Sequence, residues 1–336
     1  MTKIALQAAE KEGVRKKNSH RVTNWSFYNK ALVNRGDITI WIDEEVATSW
    51  YYHGPGQQGA QYVYSDECIE CLLGIKAVFK LPYRQLKGFA GSLIKLMGLD
   101  IIMPSYTQIC RRASNLEVNI EVPKSKAPIY VVVDSTGLKV YGEGGGADLL
   151  WKTRKHGVSK RRTWRKLHLG VDENTGFVHA QILTENGEGD GDAQQAKGML
   201  GQIKSPIDKF SGDGAYDTIE IWEMLKELEI EGIIPPQENA IYWVDEFDNL
   251  LNLDRNKILE QIDTIGRKEW KKASNYHRRS LSETAMMRFK VIFGPTLYSR
   301  IFEKQKTEAA IKIKCLNKIT AIGMPISEKK ENKMVA

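Results

Sequence analysis

The stretch YHRRSLSETAMMRFK, residues 276–290, sets one carboxylate, Glu283, among basic side chains. Read as a helix at about 100° per residue, it has one polar face, which carries Tyr276, Arg279, Glu283 and Lys290. A face with a carboxylate and two cations can bind a metal ion and the phosphate beside it. Ser280 and Glu283 also fit a capping box, in which the carboxylate only satisfies an amide at a helix start. This stretch alone leaves both interpretations open.

Two aspartates elsewhere in the chain could complete such a site. IYVVVD, residues 129–134, is a β-branched run of the kind buried on both faces of a sheet, and it ends in Asp134. IDKFSGD is a second strand-like segment, which ends near Asp213. Each aspartate could instead be an ordinary turn residue. If the two strands lie side by side and the 276–290 helix packs across them, both aspartates converge with Glu283.

Three converging carboxylates predict metal-dependent chemistry. They repel one another unless divalent cations neutralise them, and ligands that are all oxygen suit Mg²⁺ or Mn²⁺. Two such ions about 3.5 to 4 Å apart can activate an attacking oxygen and stabilise a leaving oxygen at phosphorus. We therefore expect two ions on these carboxylates. Arg279 and Lys290 would hold the DNA phosphate, and Tyr276 would stack on a base or bond a phosphate.

The elements between these residues predict how the site is positioned. After the first strand, the turn sequence DENTG joins RKLHLGV and FVHAQILT into an antiparallel hairpin. A helix signal follows near Asp192, a second begins with a capping-box spacing at Asp217 and Glu220, and GIIPP is a last short strand. Strand, hairpin, helix, strand, helix, strand, helix is the order of a ribonuclease-H-like α/β domain. We place that domain at residues 125–325, with a helical insert at about 236–275.

The preceding segment, residues 26–120, predicts a mainly helical DNA-binding domain. Helix signals open at Ser65, Pro82 and Ser105. A short connection before the last of these helices suggests a helix-turn-helix, in which Arg111 and Arg112 would read DNA. Paired arginines can equally belong to a solvated helix face. Residues 1–25 are expected to form a basic arm and residues 326–336 a polar tail.

Composition favours a polyanionic partner. The net charge is +7 with a pI near 9.0, and basic residues cluster in WKTRKHGVSKRRTWRK, residues 151–166.

The start lacks the apolar core of a signal peptide, and no apolar run approaches the roughly 18 residues of a membrane helix, so we expect a cytoplasmic protein without membrane contact. Cys68 and Cys71 form a CxxC within an amphipathic helical pattern, which favours buried cysteines over a zinc site.

These segments resemble the bacterial insertion-sequence transposases of the DDE class, specifically the insertion-sequence-five family in the group marked by a Tyr-x2-Arg-x3-Glu-x6-Lys signature. That spacing is matched at every position, by Tyr276, Arg279, Glu283 and Lys290. DSTGLKVYGEG, WRKLHLGVDE and DGAYD also resemble family segments, from about Trp25 to Pro325. GGADLL, residues 145–150, departs from the family by lengthening a loop. The resemblance implies that Asp134, Asp213 and Glu283 bind the metals and catalyse.

The expected function is transposition of an insertion sequence by a bacterial cytoplasmic, nucleoid-associated protein. The protein would bind the terminal inverted repeats of the element, cleave double-stranded DNA at its ends and transfer the 3′ ends to target DNA. Holding two ends together implies a homo-oligomer. A second hypothesis is a catalytically inactive DNA-binding regulator of the same element, with GGADLL as the place where activity could have been lost. A nuclease without strand transfer is a third hypothesis.

Overall fold

The structure is a computed structural model that describes residues 20–56, 59, 61–123, 127–141, 164–185 and 191–329. The GGADLL segment and most of the basic run at 151–166 lie outside these residues. Two compact units are present. One is formed from the chain ends, within residues 1–37 and 321–336, and the other from residues 38–320.

After one short strand, helices come first along the chain, and strands and helices are interspersed from the middle onward, which makes this a mixed α/β fold. The helices are α1 (Trp25–Asn34), α2 (Glu44–Thr48), α3 (Asp66–Val78), α4 (Tyr83–Leu96), α5 (Tyr106–Arg112), α6 (Asp192–Leu200), α7 (Ile219–Glu227), α8 (Asp254–Ile265), α9 (Arg267–Ala273), α10 (Ser280–Phe293) and α11 (Phe302–Ile322). The strands are β1 (His20–Val22), β2 (Ile129–Val140), β3 (Trp164–Asp172), β4 (Val178–Thr184), β5 (Ile207–Ser211), β6 (Glu231–Ile233), β7 (Thr296–Leu297) and β8 (Ser327–Lys329).

The unit of the chain ends is a two-stranded sheet with one helix. β1 pairs antiparallel with β8, and α1 follows β1. Asn24, at the N-terminus of α1, donates to the carbonyl of Met324 and accepts from the amide of Ile326, at 3.0 and 2.8 Å. The segments expected to be a basic arm and a polar tail therefore contain paired strands.

The larger unit is built on a six-stranded sheet with β2 at its centre. The strand order is β4-β3-β2-β5-β6, and β7 pairs with the far end of β2. β3 runs antiparallel along β2, whereas β5 and β7 run parallel to it on the other edge. β5 pairs only as far as Val132 and β7 begins at Lys139. Around Asp134, this edge of β2 is therefore paired with neither β5 nor β7.

Two apolar clusters cover the two faces of the sheet. Val131 and Val133 of β2 pack in a cluster with α6, α7 and α8, whereas Leu138 packs in a cluster with α10 and α11. This division follows from the alternation of side chains along a strand. The second cluster also contains buried residues of α3, α4 and α5. The helical segment at 38–120 thus shares a core with the sheet inside one compact unit.

The local helix signals are mostly confirmed. Ser65, Pro82 and Ser105 are the N-caps of α3, α4 and α5, and Cys68 is fully buried. The capping box predicted for Asp217 is wrong, because Thr218 is the N-cap of α7. Asp217 instead forms a buried ion pair with Arg255 of α8, 3.1 Å from Oδ1 to Nε. Asp217 thus pairs with a residue distant in the chain and does not cap the helix that follows it.

Candidate active site

Asp134 lies in β2 on the face covered by α10. Its Oδ1 accepts from the amide of Ser135 at 2.8 Å, and its Oδ2 accepts from Nη1 of Arg279 at 2.9 Å. The Ser282 hydroxyl is 3.4 Å from the same Oδ2. The side chain is 17% exposed, which leaves it within reach of a ligand at the surface.

Asp213 follows the neighbouring parallel strand. Val132 of β2 is paired with Ser211 of β5, so Asp134 and Asp213 each stand two residues beyond that pair. Asp213 also accepts from the amide of Ala215 at 2.9 Å, as the cap of a short 3-10 turn. Burial raises the pKa of Asp134 above its ordinary value, and the negative charge of Asp213 raises it further. The two carboxylates therefore repel each other at neighbouring strand positions.

Glu283 lies in the first turn of α10 and is 59% exposed. Its Oε1 accepts from Nη2 of Arg279 at 3.0 Å. The alternative capping box is wrong, because Arg279 is the N-cap and Ser280 is already the first helical residue. Glu283 is thus held toward the sheet by a side-chain ion pair and not by a backbone amide.

Arg279 joins the carboxylates. One guanidinium nitrogen bonds Asp134 and another bonds Glu283, and the charge of Asp213 also acts on Arg279. Residues 276–279 form a 3-10 turn that precedes α10, so the single helix predicted over 276–290 is wrong at its start. The half-buried Tyr276 ring lies 5.9 Å from the guanidinium carbon. Arg279, which is predicted to hold a phosphate, is therefore bonded to two carboxylates of the protein in this structure.

Lys290 reaches the sheet beside the carboxylates. Its Nζ donates to the hydroxyl of Thr136 at 2.6 Å, and Thr136 lies two residues beyond Asp134 on the same face of β2. An open cavity of about 490 Å³ runs between β2 and α10. Its lining includes Asp134, Thr136, Glu283, Met286 and Lys290. One cavity thus contains two of the predicted carboxylates and one predicted phosphate ligand.

Arg112, which is also predicted to read DNA, is bonded within the protein. Its Nη1 donates to the carbonyl of Tyr64 at 2.8 Å, its Nη2 is paired with Asp66, and its guanidinium carbon lies 3.9 Å from the centre of the Tyr62 ring. Arg111 is exposed. The helix that carries both is α5, only seven residues long. Arg112 therefore stabilises the fold, and DNA reading by Arg111 and Arg112 stays a prediction.

Sequence reasoning missed a polar cluster on the opposite face of β2. Asp192 contacts Lys166 and His168, and His168 is fully buried. The signal was the alternation in RKLHLGV, which puts Lys166 and His168 on one face of a strand assumed to be buried. Tyr216 was also missed; its hydroxyl is buried and has no hydrogen-bond partner among the described residues.

The donor chemistry fits divalent metal ions. Carboxylate oxygens are the ligands that Mg²⁺ and Mn²⁺ prefer. Within the described ranges, however, no group of three or more His, Cys, Asp or Glu side chains is gathered so as to hold one ion. Arg279 supplies the positive charge between Asp134 and Glu283 in this arrangement. The carboxylates are of the chemical type that binds these metals, and in this structure the guanidinium of Arg279 balances the charges of Asp134 and Glu283.

Comparison with known proteins gives the family. A family model described as the transposase DDE domain matches residues 126–318. The chain belongs to the DDE transposases. A second model of the same description matches residues 33–143. The transposase is also similar to a piggyBac transposase solved by cryo-EM in a synaptic complex with hairpin DNA. That similarity has a TM-score of 0.42 and 10% identity, and covers 89% of this chain and 76% of the other.

The matched regions contain the residues described above. Residues 126–318 include β2, β5 and α10, and with them all three carboxylates. None of the helices in the described part of the transposase is long and apolar enough to cross a membrane.

Proposed function

We propose that this DDE transposase binds the terminal inverted repeats of an insertion sequence, cleaves DNA at the element ends and transfers the 3′ ends to target DNA. Asp134, Asp213 and Glu283 are the proposed catalytic residues. We further propose that the chain belongs to the insertion-sequence-five family, whose signature spacing it matches through Tyr276 to Lys290.

One observation carries the proposal, namely the approach of three carboxylates from separate elements to a single guanidinium. Asp134 and Glu283 bond the same Arg279, although they lie far apart in the chain. Asp213 follows the strand paired with β2 and acts electrostatically on both Asp134 and Arg279. Such concentrated negative charge near the surface costs folding energy unless a cation balances it, and is typical of a functional site.

The three carboxylates would hold two divalent ions, Mg²⁺ or Mn²⁺. When bound, these ions would activate the attacking oxygen and stabilise the leaving oxygen of the phosphodiester. Arg279 balances the carboxylates in the free protein, and in the complex its guanidinium is released to bond a DNA phosphate. Lys290 would provide a second phosphate contact at the cavity. Tyr276, whose half-buried ring lies 5.9 Å from the Arg279 guanidinium carbon, would stack on a base or bond a phosphate.

The strand order supports a ribonuclease-H-like catalytic domain. A central strand is flanked by an antiparallel hairpin on one edge and by parallel strands on the other. Asp134 lies in β2 and Asp213 follows β5, so the two acidic residues come from neighbouring parallel strands. α8 and α9 lie within the proposed insert at about 236–275. The helical segment at 26–120 would contact the terminal repeats, with Arg111 as a base-reading side chain.

Double-stranded DNA is the proposed partner, both as element ends and as target. The net charge of +7 favours a polyanion. Joining both ends of one element to a target requires two protein-bound ends in one complex, so the active assembly would be a dimer or larger.

The test uses purified protein, Mg²⁺ or Mn²⁺, and a donor DNA that carries the inverted ends flanking the gene. Asp134→Asn, Asp213→Asn and Glu283→Gln should each lower cleavage by at least about a thousandfold while end binding persists, because each removes a proposed ligand charge. Asp208→Asn is the matched control, since Asp208 is an exposed aspartate in β5. It should cleave as the wild type does.

Sequencing of the products separates the alternatives. Covalent joints between donor and target are expected from the wild type, and their yield should collapse when only one end is present. Cleaved ends without joints would indicate a nuclease. Tight end binding without cleavage under either metal would indicate an inactive regulator, and strong cleavage by any carboxylate variant would remove that residue from the site.

A further inference from the structure

Asp192 forms a charged cluster with the sheet, on the face opposite α10. It lies in the first turn of α6, and its side chain is 16% exposed. Its Oδ2 accepts from Nζ of Lys166 at 2.8 Å, and its Oδ1 lies 3.1 Å from Nδ1 of His168. Both partners are on β3, two residues apart and so on one face. Asp192 therefore ties α6 to the hairpin strand next to β2.

The same carboxylate reaches β2 beside Asp134. Ser135 is the direct cross-strand partner of His168, and its side chain interacts with the Asp192 carboxylate and helps to lower the pKa of Asp192. The amide of Ser135 in turn donates to Oδ1 of Asp134 at 2.8 Å. Asp192 and Asp134 thus both interact with Ser135, the first through its side chain and the second through its amide.

These contacts hold β2 from both faces. Adjacent side chains of a strand point to opposite faces, so Asp134 faces α10 and Ser135 faces α6. Arg279 holds Asp134 on the first face, and Asp192 holds Ser135 on the second. Around Asp134, β2 is paired with β3 on one edge but with neither β5 nor β7 on the other, so these side-chain contacts add to a single ladder there.

Asp192 is charged and already provided with donors. Burial alone would raise its pKa, but hydrogen bonds from His168, Lys166 and Ser135 bring the pKa well below its ordinary value. Its Oδ2 is engaged by Lys166, and its Oδ1 lies beside Nδ1 of His168. This arrangement suits an anchor for neighbouring groups better than a ligand for a metal ion.

We propose that Asp192 is a positioning residue, which orients Asp134 through Ser135 and thereby sets the metal affinity of the site. This inference rests on the proposed function, in which Asp134 is a metal ligand. Groups that orient a ligand typically change metal affinity by about 10–100-fold when they are removed. Asp192 should therefore affect ion binding without touching an ion.

The experiment measures Mn²⁺ binding to the full-length protein by calorimetry and by electron paramagnetic resonance, without DNA. Asp192→Asn and Ser135→Ala should each weaken binding by about 10–100-fold. The double variant should be little weaker than either single variant, because both changes break the same connection. If Asp192→Asn does not fold, Ser135→Ala still tests the connection between Asp192 and Asp134.

Two control variants isolate the route through Ser135. Asp254→Asn changes an aspartate in the first turn of α8 that is 57% exposed and pairs with Lys257, and it should bind Mn²⁺ as the wild type does. Lys166→Met removes one partner of Asp192 but leaves Ser135 in place. It should lower the melting temperature and leave Mn²⁺ affinity nearly unchanged.

The outcomes distinguish this inference from the proposed function. If the wild type binds no Mn²⁺, or binds it equally well after Asp134→Asn, the proposed metal site is wrong and the inference falls with it. If binding depends on Asp134 but Asp192→Asn and Ser135→Ala behave like Asp254→Asn, only the positioning role is overturned. Equal loss in Lys166→Met and Asp192→Asn would overturn the route through Ser135.

Discussion

At the scale of single residues, Arg111 and Arg112 have the same side chain but different surroundings. Arg112 is 14% exposed and bonds a carbonyl, a carboxylate and the face of a tyrosine ring. Arg111 points to solvent from the same helix. Consecutive side chains of a helix point about 100° apart, so one arginine can pack against the protein while the next is exposed to solvent.

Arg112→Ala should lower the free energy of unfolding by about 1–3 kcal/mol, because it leaves the Tyr64 carbonyl and the Asp66 carboxylate without this donor. Arg111→Ala is the matched control and should change that free energy by less than about 0.5 kcal/mol. Urea unfolding of both variants measures the difference. Equal stability of the two variants would show that the Arg112 contacts contribute nothing.

At the scale of elements, Glu308 and Lys312 fasten α11 to β7. The carboxylate of Glu308 accepts from the amides of Tyr298 and Ser299, and Lys312 donates to the carbonyl of Thr296 at 3.0 Å. The pair itself is 2.8 Å apart, with side chains 3% and 8% exposed. These contacts join the long helix α11 to β7, a strand of only two residues that can form few backbone hydrogen bonds with the sheet.

Glu308→Gln should cost about 3–5 kcal/mol of stability at neutral pH, since it leaves Lys312 buried without its charge partner. Burial would raise the pKa of Glu308, but Lys312 and the backbone donors hold it below the ordinary value. The ionised carboxylate therefore stabilises the fold above the usual titration range of glutamate, and this contribution is lost as the pH falls through the folded-state pKa.

Unfolding of the wild type and of Glu308→Gln should consequently converge in acid. Glu303→Gln on the same helix is the control, because Glu303 is 59% exposed and, among the described residues, forms an ion pair only with Lys306. Its stability should match the wild type at every pH. A cost at Glu308 that does not change with pH would rule out the charge as its cause.

At the scale of the whole molecule, the two ends of the described chain meet in one small unit. Asn24 bonds both Met324 and Ile326, and the Thr23 amide donates to the carbonyl of Ile326 at 2.8 Å. Arg35 also donates to the carbonyl of Gly323 at 2.8 Å. Two short strands form little sheet by themselves, so these side-chain bonds are needed to keep them paired.

Asn24→Ala should accelerate amide exchange at Thr23 by about tenfold, because the loss of two hydrogen bonds makes local opening easier. Asn34→Ala, at the other end of α1, is the matched control and should leave that rate unchanged. Hydrogen exchange followed by mass spectrometry or NMR measures both variants. Unchanged exchange in Asn24→Ala would show that β1 and β8 pair without this side chain.

The sequence by itself determined the features that depend on neighbours in the chain. The β-branched run into Asp134, the caps at Ser65 and Ser105, and the polar character around Glu283 are each specified within a few residues. These signals predicted the central strand, most helices and the proposed catalytic carboxylates, because strand and helix preferences are local.

The tertiary structure decided every pairing between distant residues. It directed Arg279 to Asp134, Asp217 to Arg255, and Arg112 to Asp66. It also gave Asp192 a second connection to the site through Ser135. A charged side chain bonds whichever partner the fold brings within about 3 Å, and that partner is selected by strand order and packing rather than by spacing in the sequence.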